Sequence, residues 1–378
     1  MKPDNSNFTE VISMRWSKER IWEWYNKRPW LRGCNYLSAD CVNRIDQWQE
    51  LGFEERFKTT EEEFKLMQET GFNTIRIILE YVVWKEEHDG FMERFERYLS
   101  LCNQYGISCM VVLANDCMPP KTELWKMPFV GEQPCDWGYH GAKKHSQHGT
   151  HTEAAPHFYF DDPELREDYF NMVREIVTKY KDDERICIWD VYNEPGNSRR
   201  GSMVMPHLKK MFEVVREIDP SQPLTAGAWN LNVDEDEIPI TEWDCFCLEN
   251  SDIISYHFYG PYENHVKAIK FLKELGRPIV NSEWLARCFH NNVEDLFPLF
   301  YLEKIGCYNW GFVAGKSQTY EAWNGTWDGI LAGNGGDTDI TKWFHDLYRP
   351  SHRPYDPKEI KTIQRFCRLA DKDFAEKK

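Results

Sequence analysis

The chain carries no excess of positive charge: 46 Lys+Arg against 62 Asp+Glu leave a formal net charge of −16. A protein that binds nucleic acid by neutralising phosphates wants the opposite sign, and surplus acid reads as solubility. No apolar run approaches the roughly 20 residues of a membrane-spanning helix. The first residues, MKPDNSNFTEVISMRW, lack the basic-then-apolar order of a secretory leader, so the expected location is cytoplasmic unless a leader has been removed. The 12 cysteines form no CxxC pair and no zinc spacing. Several, including Cys34, Cys109, Cys187 and Cys307, sit inside apolar runs and read as buried reduced thiols. There is no GxGxxG turn to open a dinucleotide-binding fold. Low-complexity tracts and Pro/Gly/Ser linkers are also missing, which excludes global disorder and gives no domain boundary.

What is present is aromatic. Sixteen Trp, 18 Tyr and 22 Phe make 15% of the 378 residues, enough to supply flat faces for a ring-shaped ligand such as a sugar. Short apolar runs alternate with helical patterns along the chain. The runs are Trp30 to Tyr36, Asn73 to Leu79, Ile107 to Leu113, Ile186 to Val191, Leu224 to Trp229, Asp252 to His257, Pro278 to Glu283 and Cys307 to Trp310. They are apolar on both faces, as parallel strands covered by helices should be. Alternation of strand and helix argues for a parallel sheet. Eight units argue for a (β/α)8 barrel, for which about 250 residues suffice before insertions.

The expected organisation is therefore one α/β barrel domain over 1–378, with residues 1–28 an N-terminal helical extension packed on it. A helix is expected to open on a capping box at Thr60–Glu63, and another near Asp234–Trp243. Cys245 and Cys247 read as same-face residues of a strand. Two long loops follow the third and eighth strands, about 115–161 and 314–357. They leave strand C-termini, where barrel enzymes build their sites, and carry Trp125, Trp137, Trp323, Trp327 and Trp343.

Two glutamates fall at predicted strand ends. Glu194 closes Trp189-Asp-Val-Tyr-Asn-Glu-Pro195 after the fourth strand, and Glu283 closes Val280-Asn-Ser-Glu-Trp284 in the seventh. Those strands lie across the mouth of a barrel, so the two carboxylates can face one another over a bound sugar. Most glycosidases use such a pair, one protonating the leaving oxygen and one acting at the sugar carbon.

Asn193-Glu194-Pro195 resembles the acid/base motif of clan A glycoside hydrolases, the family 5 type in particular. Further positions match in order along the barrel: Arg-Gly-x-Asn at Arg32 to Asn35, Arg76 after the second strand's Thr-Ile, the His-x-Tyr pair His257 and Tyr259, Glu283 itself, and Trp310 on the eighth strand. The resemblance spans roughly Trp30 to Trp310. It implies Glu194 as acid/base, Glu283 as nucleophile, Arg76 keeping Glu283 ionised, Asn193 binding a sugar 2-hydroxyl, Tyr259 holding the nucleophile and His257 positioning the acid or sugar. Trp310 would be the sugar platform, with Asn35 and Trp137 as further supporting residues. It also implies a carbohydrate substrate, a β-glycoside or oligosaccharide, with no cofactor and no metal. One departure stands out: where family 5 often has His after the third strand, this chain has Ala114-Asn-Asp116, so Asn115 or Asp116 takes that place. The competing reading is a non-catalytic carbohydrate-binding barrel.

Two further signals stay subordinate. His140, His145, His148, His151 and His157 crowd one loop, but Lys143 and Lys144 sit among them and no zinc spacing results. They read as part of a cleft-lining loop. Gly333-Asn-Gly-Gly-Asp-Thr-Asp339 lacks the ligand order of a calcium loop and reads as turns.

Overall fold

A computed structural model describes residues 15–117, 128–133, 158–233, 238 and 240–377. Nine short parallel strands form one sheet, and their order closes it into a barrel. They are β1 (Arg32–Asn35), β2 (Thr74–Ile78), β3 (Ser108–Val112), β4 (Ile186–Asp190), β5 (Leu224–Thr225), β6 (Gly227–Ala228), β7 (Ile254–His257), β8 (Ile279–Trp284) and β9 (Gly306–Trp310). β1 pairs with both β2 and β9, closing one side. β5 pairs with β4 and β6 with β7, so these two are halves of a single stave interrupted at Ala226. Eight staves result, the (β/α)8 architecture. Almost every strand residue is buried, on both faces.

Helices cover the outside. That of Pro163–Tyr180 starts with proline at its first position, behind an Asp162 side chain that accepts from the Glu164 and Leu165 amides. The described part of the N-terminal segment, from residue 15 on, lies against the barrel. Ser17 caps a helix over Lys18–Asn26, and Trp16, Ile21 and Trp24 join Leu31, Met110, Cys187, Ile188, Ile253, Val280 and Tyr308 in one buried cluster. These aromatics plug the N-terminal end of the barrel and leave the opposite end open.

Three local expectations are corrected. Thr60 opens no helix: the helix spans Phe53–Thr70, and the Thr60 hydroxyl bonds back to the Arg56 carbonyl four residues earlier. Glu63 is instead turned inward, accepting from Tyr36 Oη at 2.6 Å and the Ala39 amide at 3.2 Å. The helix placed near Asp234–Trp243 runs over Glu242–Asn250, capped by Thr241. Cys245 and Cys247 lie on that helix, not on a strand; a three-residue alternation is too short to distinguish the two periods. The calcium-like turns hold no cluster of three metal-ligating groups among the described residues; His290 meets Asp337 there, and Asp339 caps Thr341. All eleven described cysteines are free thiols, nine of them buried. No described helix is long and apolar enough to cross a membrane. The five loop histidines and Trp125 and Trp137 lie outside the described residues.

Candidate active site

The open end of the barrel holds a cavity of about 920 Å³. Glu194 and Glu283 both line it, as do Asn193, His257, Tyr259 and Trp310. Each carboxylate owes its place to a strand end. β4 ends at Asp190, Asn193 still bridges to Asn115, and the chain then turns sharply, with Glu194 at φ +44° and Gly196 at φ +81° on either side of Pro195. A non-glycine residue in that region costs on the order of 1 kcal/mol and persists only where its surroundings hold it. Asp116 is one holder. Its Oδ2 accepts the Gly196 amide at 2.8 Å and its Oδ1 accepts Tyr192 Oη at 2.8 Å.

Arg76 organises the floor beneath the cavity. Fully buried, it donates from Nε and Nη2 to Asp190 Oδ2 at 2.9 and 2.7 Å, and from Nη2 to Asn193 Oδ1 at 2.6 Å. Its Nη1 serves Glu283 Oε1 and Asn35 Oδ1, both at 2.7 Å. Burial works against the guanidinium charge, but Asp190 and Glu283 more than restore it, so Arg76 stays cationic. Asn193 is oriented by that contact, with its Nδ2 turned to Asn115 Oδ1 at 2.6 Å. Asn35 lies outside the main cavity's lining and donates its own amide to the Ser282 carbonyl at 2.7 Å, so it supports Arg76 from behind.

Glu283 accepts Tyr259 Oη at its other oxygen, 2.8 Å away. Burial pushes the Glu283 carboxyl above its ordinary value, Glu194 adds to that, and His257, Arg76 and Tyr259 pull the other way without prevailing. The expected downward pull of Arg76 is present, therefore, but desolvation outweighs it. His257 Nδ1 stands 2.8 Å from Glu194 Oε1 and 3.5 Å from Glu283 Oε2. Burial lowers His257 to about 4, so it is neutral near pH 7. Its ring sits so close to Gly227 that a Cβ there would lie 2.6 Å from Nε2; the glycine's missing side chain gives the imidazole its room.

One oxygen from each glutamate and one His257 nitrogen lie within 4.8 Å of one another. Among the described residues this is the one trio of possible metal ligands, but the Arg76 cation already occupies a Glu283 oxygen. The arrangement suits proton transfer and nucleophilic attack at a single centre.

Of the two candidates after the third strand, Asn115 lines the cavity and Asp116 does not. Asp116 faces away from the cavity into the loop behind Glu194, near Arg200, and burial raises its carboxyl to about 7. Successive residues of an extended segment point to opposite sides, so it is Asn115 and Cys117 that line the cavity. Cys117 passed unnoticed in the sequence because nothing marks it locally. The residues missed also include Asn197, beside Glu194, and Trp229, whose indole Nε1 donates to the Pro195 carbonyl at 2.9 Å. Trp323, from the long final loop, lines the wall and packs edge-on against Tyr259.

Comparison with known proteins places this geometry. Residues 42–310 match the family model described as cellulase, glycosyl hydrolase family 5. No curated protein matches the chain. Among solved structures, an exo-β-1,4-mannosidase from Opitutaceae bacterium strain TAV5 is similar over 92% of this chain, with a TM-score of 0.56 and 15% identity. This chain spans 60% of that protein's length. A family 5 mannosidase from Rhizomucor miehei is similar over 92% of this chain and 94% of its own, with a TM-score of 0.53 and 14% identity. An endo-β-1,4-mannanase from Thermotoga petrophila covers 92% and 78% respectively, with a TM-score of 0.55 and 14% identity. At such identity the likeness is one of fold.

Proposed function

Since the chain belongs to glycosyl hydrolase family 5, we propose that it hydrolyses β-linked glycosides or oligosaccharides with retention, through Glu194 and Glu283. The observation that carries this reading is the approach of the two carboxylates, with one oxygen of each and His257 Nδ1 inside 4.8 Å. Retaining enzymes hold their carboxyl groups about 5–5.5 Å apart, whereas inverting ones leave about 6.5–9.5 Å for a water.

In the proposed sequence, Glu283 attacks the anomeric carbon while Glu194 gives its proton to the departing glycosidic oxygen. A covalent glycosyl-enzyme results. Glu194, now ionised, takes a proton from the incoming water, which breaks the ester and releases the sugar. Arg76 and Tyr259 hold the two oxygens of Glu283 in line. Neutral His257 steadies Glu194 without competing for the proton. Asn193, fixed by Arg76 at its carbonyl and by Asn115 at its amide, lines the cavity where the sugar 2-hydroxyl would lie. Trp310 forms the platform under the ring. The named substrates of the similar folds make β-mannosides the first glycosides to try.

The test is turnover of a panel of aryl β-glycosides and β-linked oligosaccharides by the wild type, E283A and E194A. E283A on every substrate and E194A on the unactivated oligosaccharides should lose at least about 10³-fold in kcat/KM while melting near the wild type, and NMR of the first-formed product should show retained configuration. Because burial raises the Glu283 carboxyl, the acid limb of the wild-type profile should lie above the range of an ordinary exposed carboxylate. An active E283A, or an inverted product, would overturn the reading.

A further inference from the structure

The cavity wall beside Glu194 carries a thiol that the reaction above leaves unused. Cys117 is partly exposed there, and its Sγ lies 2.8 Å from Glu194 Oε2. Its position is built rather than incidental. The Asn115 side chain clasps the Cys117 backbone at both ends, accepting its amide and donating to its carbonyl, each at 3.0 Å. The same Asn115 oxygen holds Asn193. Two side-chain amides converge on the sulfur: Asn197 Nδ2 at 3.2 Å and Asn193 Nδ2 at 3.6 Å. Asn197 also donates to Glu194 Oε2. The sulfur thus accepts from amides and has one hydrogen to give, and Oε2 is the acceptor in reach.

We infer that Cys117 is a positioning residue for Glu194, its S–H holding Oε2 and setting the proton affinity of the acid/base. This rests on the hydrolase reading and deepens it. Burial, and next the charge and hydrogen bond of Glu194, push the thiol well above its ordinary range, so it remains S–H rather than thiolate. A donor to the ionised carboxylate favours that form and lowers the carboxyl pKa. The other groups facing this corner are His257 on Oε1, Glu283 and Tyr259 from the facing staves, Asp244 beyond Trp229, and Arg44 and Arg76. Changing Cys117 removes none of these groups.

Removing the donor has a definite sign. In C117A the ionised form of Glu194 loses support, its pKa rises, and the alkaline limb of kcat/KM moves up by about half to one pH unit. C117S keeps an O–H donor and should return the limb toward the wild type. Glycosides with poor leaving groups depend on the acid, so C117A should lose about tenfold on an unactivated disaccharide and under about threefold on a dinitrophenyl glycoside. An active C117A with an unmoved limb and equal losses on both substrates would overturn the role of the thiol and leave the hydrolase reading standing. A second measurement needs no turnover. Iodoacetamide labelling of Cys117 at pH 8, mapped by peptide mass spectrometry, should run at least about threefold faster in E194Q, because loss of the neighbouring charge lowers the thiol pKa. Equal rates would overturn the contact. A folded wild type that cleaves nothing on the panel would overturn the hydrolase reading and, with it, the role of Cys117 in turnover.

Discussion

Arg76 is the residue on which the site's polar order converges. It meets Asp190, Asn193, Asn35 and Glu283 at once, five contacts of 2.9 Å or less from one guanidinium. A lysine keeps the charge but offers three rotatable donors from a single atom, so it cannot span four partners on three staves. R76K should therefore fold, melt lower and lose about 10²-fold in kcat/KM, the scale of loss that misplaced reacting groups produce. Paired melting and kinetic measurements check this; retention of more than a tenth of the activity would show that charge alone suffices. Asp116 teaches the complementary point. It sits next to a cavity-facing residue, yet it acts by gripping the Gly196 amide behind Glu194.

Among the elements, the N-terminal helix and the fifth stave do different work. The helix Lys18–Asn26 presents Ile21 and Trp24 to the barrel's closed end, far from the chemistry. Deleting buried methyl groups leaves a cavity and typically costs about 2–5 kcal/mol. I21A should lower the melting temperature markedly while kcat/KM at 25 °C stays within about twofold of wild type. A large activity loss in a folded I21A would mean that the plug communicates with the cleft. The fifth stave is the reverse case, locally weak and functionally placed. It pairs by two residues on each side of Ala226, and the absence of a Cβ at Gly227 admits the His257 ring.

At the scale of the whole molecule, buried acid shapes the pH response. Burial raises Glu63 to about 8, and Asp116 and Asp346 to about 7. The sign follows from proton uptake. Between pH 4.5 and 8 the unfolded chain releases the Glu63 proton while the folded chain keeps it, so stability falls as pH rises through that window, by at most about 1.4 kcal/mol per unit. E63Q removes this term. Its melting temperature relative to wild type should rise between pH 5 and pH 8, as calorimetry at the two values would show; a constant difference would mean that Glu63 is ionised in the fold.

The barrel architecture and the candidate pair of facing carboxylates were both legible in the order of residues along the chain. Eight two-sided apolar runs can be buried only by a sheet with helices outside, and Glu194, Glu283, Arg76, His257, Tyr259 and Trp310 each lie on such a run or just after one, so the barrel can gather them at its open end. Strand order in the chain therefore fixed their order around the mouth. Only the tertiary structure decided which neighbours of those positions turn inward. Whether Asn115, Asp116 or Cys117 meets the cleft depends on the twist of one short segment and on an amide clasp with Asn193. Whether Trp229 and Trp323 form its walls depends on chain paths separated by some ninety residues. The balance at Glu283 belongs there too, because desolvation arises from everything packed around a group, and no spacing in the sequence records it.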